Sequence, residues 1–122
     1  HLGQEDRPQH EALRLLGNEK LIGRSTHALA QLAAAQQEGA DYAGVGPVFA
    51  TATKADRQPA GLNWVKEACA AARIPWFAIG GITATTLPQV LEAGANRVAV
   101  VSAIMASDDP ALASRQLLDL LI

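Results

Sequence analysis

The chain has 122 residues, 49% of them hydrophobic and 18% charged, with a formal net charge of −2. That length fits one domain and not two, and the apolar share excludes a disordered chain. The acidic balance, the lack of a basic tract and the scarcity of aromatics (two Trp, two Phe and one Tyr) argue against a nucleic-acid surface.

No run of about 18 apolar residues occurs and no signal-peptide pattern opens the sequence. A cytoplasmic protein without membrane contact is therefore expected. Cys69 is the single cysteine, which allows no intramolecular disulfide and no cysteine-based zinc cluster. Set in the Ala-rich segment 65–73, it reads as a small structural hydrophobe.

In chain order, Pro8 starts a helix over 8–16 that Gly17 and Asn18 close. Residues 21–25 form a short strand. Thr26 caps a helix over 28–38, which stops at Gly39. The second strand is 42–46, and a long loop, 47–60, follows it. Residues 62–72 are helical, and Ile74-Pro75 leads into a third strand, 76–79. A helix from Thr83 or Thr85 ends before Gly94, the fourth strand is 97–101, and a last helix covers 110–121.

The two apolar runs Phe77-Ala-Ile-Gly-Gly-Ile82 and Arg97-Val-Ala-Val-Val-Ser-Ala103 are separated by one helix. Buried parallel strands joined by a crossover helix have this pattern. Glu38-Gly-Ala-Asp41 and Glu92-Ala-Gly-Ala-Asn96 recur at the same place in their units, each turning a helix into a strand. The fold class is thus α/β, with four parallel strands alternating with helices and right-handed crossovers. Four such strands cannot close a barrel that needs eight, and alone they leave two edges exposed. The opening stretch His1-Leu-Gly-Gln-Glu-Asp6 is loop-like, with no strand before it. Residues 1–122 are therefore expected to be one partial domain: the C-terminal half of a (β/α)8 TIM barrel, from the end of its fourth strand through its eighth helix.

The polar residues able to do chemistry fall at strand C-termini, as barrel sites do. Ser25, Thr26 and His27 follow the first strand; Thr51, Ala52, Thr53 and Lys54 occupy the long loop; Gly80 and Gly81 follow the third strand and Ser102 the fourth; Glu5 and Asp6 lie in the opening loop. Hydroxyls, backbone N–H groups, one ammonium and one or two carboxylates suit anions and a hard metal. No nucleophile–base pair is visible, because Cys69 is helical and His27 has no adjacent carboxylate. Each feature also has an ordinary reading. Gly80-Gly81 serves a tight turn, Ser102 caps a short segment over 102–106, and Lys54 is a solvated charge. Ser25-Thr26-His27 is a helix start, and Glu5-Asp6 are first-turn carboxylates favoured by the helix dipole.

Taken together, six stretches resemble the thiamine-phosphate synthase family in order and spacing. They are His1-Leu-Gly-Gln-Glu-Asp6, Ile22-Gly-Arg-Ser-Thr-His27, Asp41-Tyr-Ala-Gly-Val-Gly-Pro-Val-Phe49, Thr51-Ala-Thr-Lys54, Phe77-Ala-Ile-Gly-Gly-Ile82 and Arg97-Val-Ala-Val-Val-Ser102. The resemblance implies a transferase of thiamine biosynthesis. It joins hydroxymethylpyrimidine diphosphate to thiazole phosphate through a pyrimidine-methyl cation, giving thiamine phosphate and pyrophosphate. It further implies Asp6 as a Mg²⁺ ligand, Ser25 as a hydroxyl contact to the diphosphate and Lys54 as the cation meeting the leaving pyrophosphate. Thr51, Ala52 and Thr53 would contact the thiazole phosphate, with Gly81, Val101 and Ser102 completing its pocket. Ala50 stands where the family usually has proline.

The resemblance is to the second half of that enzyme only. Its first half carries a Gln-x-Arg-x-Lys-like segment and an Asn-Asp pair that nothing in these residues replaces, so the chain alone is expected to be catalytically inactive. Two other readings stay open: a thiazole tautomerase-like relative, and a non-catalytic phosphate-binding half-barrel. The partners expected are small-molecule substrates, with either a homo-oligomer or association with the missing N-terminal half sealing the sheet edges.

Overall fold

A computed structural model describes residues 1–54, 56 and 58–122, the side chain of Lys54 excepted. Its core is a four-stranded, wholly parallel sheet in the order β1-β2-β3-β4, with β1 at Gly23–Thr26, β2 at Tyr42–Val45, β3 at Trp76–Ile79 and β4 at Val98–Ala99. The helices are α1 (Gln9–Leu16), α2 (Leu29–Gln37), α3 (Gly61–Ala71), α4 (Leu87–Glu92), α5 (Ser102–Met105) and α6 (Pro110–Leu121). Helix α2 packs on α3, α3 on α4 and α4 on α6, so they follow one another in sheet order.

Strand periodicity sorts the side chains into two sets. Ala43, Val45, Trp76 and Ala78 point into the apolar core, where they meet Leu32 of α2, Trp64, Val65 and Ala68 of α3, and Leu87 and Val90 of α4. The alternate positions are Gly23 and Ser25 in β1, Tyr42 and Gly44 in β2, and Phe77 and Ile79 in β3. They carry little aliphatic bulk apart from Ile79, which is 38% exposed. The face away from the main core is thus lined by small, polar and aromatic groups.

The opening stretch is pinned rather than free. Leu2 forms a parallel bridge with Arg24, its N–H donating to Gly23 O at 2.9 Å while Ser25 N–H donates to Leu2 O at 2.9 Å. Buried Gln9 ties α1 to the end of α2 by donating from Nε2 to Glu38 O at 2.8 Å.

Several local expectations are corrected. Thr26 caps nothing: it ends β1 fully buried, and its hydroxyl donates to Gly44 O at 2.8 Å. Helix α2 begins after Ala28, which has no side-chain cap, and Gln31 reaches back instead to accept from His27 N at 2.7 Å. Ser102 is the first residue of α5, not its cap; Val101 occupies the cap position without a side-chain bond. The last strand is two residues rather than five because only Ala78 and Ile79 pair with it. Cys69 is exposed, although its Sγ lies against Gly94, where an added Cβ would approach to 2.6 Å. At α6 the expected start is observed, with Asp109 accepting from Leu112 N at 2.9 Å. Among the described residues no helix is long and apolar enough to cross a membrane.

Candidate functional site

The C-terminal ends of the strands enclose a cavity of about 150 Å³. Its wall includes Ser25 of β1 and His27 just beyond it, Gly44 of β2 and Gly46 just beyond it, Thr51 and Thr53 from the following loop, Gly80 and Gly81 after β3, and Val101 and Ser102 after β4. Six residues nominated from sequence (Ser25, Thr51, Thr53, Gly81, Val101 and Ser102) therefore border one space.

Steric demand explains why this cup has glycines in it. The loop after β2 lies directly on the turn after β3, with Val48 N–H donating to Ile79 O at 2.9 Å and Phe49 N–H to Gly80 O at 3.0 Å. Gly80 and Gly81 have φ of 110° and 64°, a region costly for residues with a Cβ. A Cβ on Gly80 would come within 2.6 Å of Pro47 Cα, and one on Gly81 within 2.5 Å of Ala50 O. Both the tight-turn and the ligand reading of the pair are compatible with this packing: the turn is tight, and it brings backbone to the cavity.

Across the cup, residues 52–54 form one turn of 3₁₀-helix, opened by Thr51 Oγ1 accepting from Thr53 N at 3.1 Å. Ala52 is exposed on that turn and outside the cavity wall. Lys54 belongs to the same turn, but its side chain lies outside the described residues. Ser102 opens α5, so its N–H and that of Ala103 have no helical carbonyl to bond.

His27 is not a bystander on the surface. It is half-buried in the cavity wall, and Nδ1 sits 2.7 Å from Gly46 O. A carbonyl only accepts, so Nδ1 carries a proton toward Gly46 O.

The opening loop lies against Ser25, outside the residues that line the cavity. Gln4 Nε2 donates to Ser25 O at 2.6 Å, and His1 Nε2 lies 2.9 Å from Ser25 Oγ. His1 Nδ1 lies 3.2 Å from the Tyr42 hydroxyl. A serine–imidazole contact thus exists beside the cavity. It was invisible in sequence because its members are 24 residues apart and meet only through the Leu2 bridge.

Asp6 is exposed and does not border the cavity; its Oδ2 accepts from Gly3 N at 2.6 Å. Among the described residues, no group of three or more His, Cys, Asp or Glu side chains is placed to hold a metal ion. The donor set fits Mg²⁺ only in the mode where one protein carboxylate joins phosphate oxygens and water around the ion.

Comparison with known proteins gives a consistent family. A family model described as thiamine monophosphate synthase matches residues 1–104. The chain is 84% identical over 121 residues to the thiamine-phosphate synthase of Synechococcus sp. (strain WH7803), covering 99% of this chain and 34% of that protein. It is 54% identical over 123 residues to the thiamine-phosphate synthase of Mycobacterium sp. (strain KMS), of which it covers 54%. The chain thus spans about a third of the length of its Synechococcus relative and about half of the mycobacterial one. Among solved structures, thiamine phosphate pyrophosphorylase from Pyrococcus furiosus superposes with a TM-score of 0.90 at 35% identity, over 98% of this chain and 57% of that one. The 3-hexulose-6-phosphate synthase of Salmonella typhimurium superposes with a TM-score of 0.64 at 24% identity, over 84% of this chain and 49% of that one, a likeness of fold alone. The four parallel strands and their helices are those of half a (β/α)8 barrel.

Proposed function

The chain belongs to the thiamine monophosphate synthase family, and from that premise we propose that it carries the thiazole-phosphate site, and part of the diphosphate site, of a cytoplasmic transferase that forms thiamine phosphate. The observation that carries this reading is the cavity of about 150 Å³ bordered at once by Ser25, Thr51, Thr53, Gly81, Val101 and Ser102. That space suits a phosphate group cradled by hydroxyls and main-chain N–H groups.

The proposed chemistry breaks the bond between the pyrimidine methylene carbon and the diphosphate oxygen, and the electron pair leaves with pyrophosphate. The thiazole nitrogen then gives its lone pair to that carbon. No proton need be abstracted, so the residues have two tasks: to hold the nucleophile in line and to receive negative charge. Gly81, Ser102 and the turn from Thr51 to Thr53 hold the thiazole phosphate. Ser25 donates its hydroxyl proton to the departing diphosphate, and Lys54 meets the same charge. Asp6 is the carboxylate that would hold Mg²⁺, which when bound supplies further neutralisation of pyrophosphate. Association with another polypeptide, either a second copy or further chain of the same protein, would cover apolar side chains on α5 and α6 such as Met105, 78% exposed, and Leu118, 54% exposed.

Calorimetric titration of the 122-residue chain with thiazole phosphate and, separately, with inorganic phosphate tests the reading. Thiazole phosphate is expected to bind at least about tenfold more tightly, since it adds an apolar ring to the same anchor. Equal affinities would leave only a phosphate-binding half-barrel.

A further inference from the structure

We propose that Tyr42 and His1 form a hydrogen-bond relay that keeps the Ser25 proton free for an anion, making both of them positioning residues for the diphosphate contact. The proposal rests on the role assigned to Ser25 above.

The side chains are placed for this by the sheet. Tyr42 projects from the start of β2 beside Gly23, where any Cβ would overlap its ring. Its other side meets Phe77 edge-on, with ring centroids 5.9 Å apart at 83°. The His1 ring lies 5.6 Å from the Tyr42 ring, and its Cε1 would be 3.6 Å from a Cβ on Gly44. The backbone of the neighbouring Leu2 is fixed to β1 on both sides. Gly23 thus makes room for the Tyr42 ring, and the His1–Tyr42 pair sets its polar ends along one line: Tyr42 hydroxyl, His1 Nδ1, His1 Nε2, Ser25 hydroxyl.

A neutral imidazole has one N–H, so this line can run in two directions. In one, Nδ1–H donates to the Tyr42 oxygen and Nε2 accepts the Ser25 proton. Ser25 then offers an arriving phosphate only lone pairs, which repel it. In the other, the Tyr42 hydroxyl donates to Nδ1 and Nε2–H donates to Ser25 Oγ. The serine proton is then free, and each donor in the chain polarises the next. An anion at Ser25 selects the second direction. Packing against Phe77 would be served equally by phenylalanine at position 42; among the described residues the hydroxyl is hydrogen-bonded to His1 alone.

His27 supplies an internal contrast, since its bond to Gly46 O requires the proton on Nδ1. Long-range 1H–15N correlation spectra of the ¹⁵N-histidine-labelled chain, with inorganic pyrophosphate present, read both rings together. The expected result is His1 protonated on Nε2 and His27 on Nδ1. Tyr42→Phe should weaken pyrophosphate binding about fivefold, as loss of one net hydrogen bond does. His1→Gln, which keeps an N–H donor, should retain more binding than His1→Leu. A His1 ring protonated on Nδ1 in the presence of pyrophosphate overturns the relay, as does a Tyr42→Phe chain that binds as well as the original. Failure of the wild-type chain to bind pyrophosphate removes the anion role of Ser25 and the relay with it. Equal binding of thiazole phosphate and inorganic phosphate would instead sink the transferase reading, while leaving a relay that passes these tests in place.

Discussion

Two sides of the cavity are built from different material. The side after β3 and β4 is made of backbone and empty space, with Gly80 and Gly81 under the loop from Pro47 to Ala50 and Ser102 at the start of a short helix. The side after β1 is made of side chains, with Ser25 held by His1, and its own backbone held by Gln4 and Leu2. The difference teaches where each is vulnerable. A backbone cup tolerates loss of polar side chains and fails when carbon is added. A side-chain rim tolerates small changes of volume and fails when one hydroxyl is deleted.

The largest effect should come from adding carbon to the cup. Gly81→Val places a Cβ against Ala50 O in a left-handed backbone region. We expect a stability loss of about 1–3 kcal/mol from strain and overpacking, seen as a lower urea midpoint, together with loss of inorganic phosphate binding by calorimetry. Normal phosphate affinity in this variant would break the contrast between the two sides.

An intermediate effect is expected at the rim. Ser25→Ala removes one hydrogen bond to a charged group, worth about 1.5–3 kcal/mol, so pyrophosphate affinity should fall by roughly tenfold or more. Inorganic phosphate binding in the cup should stay within about twofold. A parallel loss of both ligands would mean that the two sides are one site.

The smallest effect sharpens the comparison. Ser102→Ala deletes a hydroxyl but keeps the N–H, so phosphate affinity should drop only about fivefold. A much larger drop, measured by the same titration, would show that the cup depends on side chains after all.

The alternation of strands and helices was legible in the sequence because β2, β3 and β4 lie in apolar runs and α1, α2 and α4 stop at Gly17, Gly39 and Gly94. The residues of the cup were legible for a related reason. Strand C-termini in such folds collect at one end, so residues placed just after a strand share a neighbourhood. What spacing could not reveal is pairing between distant residues. Thr26 looks like a helix cap in sequence, but its hydroxyl is claimed by Gly44 O across the sheet, and its carbonyl accepts from Trp64 Nε1 at 3.3 Å. His1 and Tyr42 are 41 residues apart and become neighbours only when Leu2 docks on β1. His27 looked like part of a helix start because its partner, the Gly46 carbonyl, is a main-chain group with no residue-type signature.

The contact between the loop and the double-glycine turn has an evolutionary corollary. Val48 and Phe49 donate to Ile79 and Gly80, while Gly81 sits against Ala50 O and the Phe49 side chain. Neither segment can change its course without the other, so variation here must be paired. A homologue that lengthens the turn must also reroute the loop, and a chimera that takes one segment from a relative must take both. Single-residue changes are expected to be tolerated only at the loop's outward-facing positions, the two segments shaping the cup as one unit.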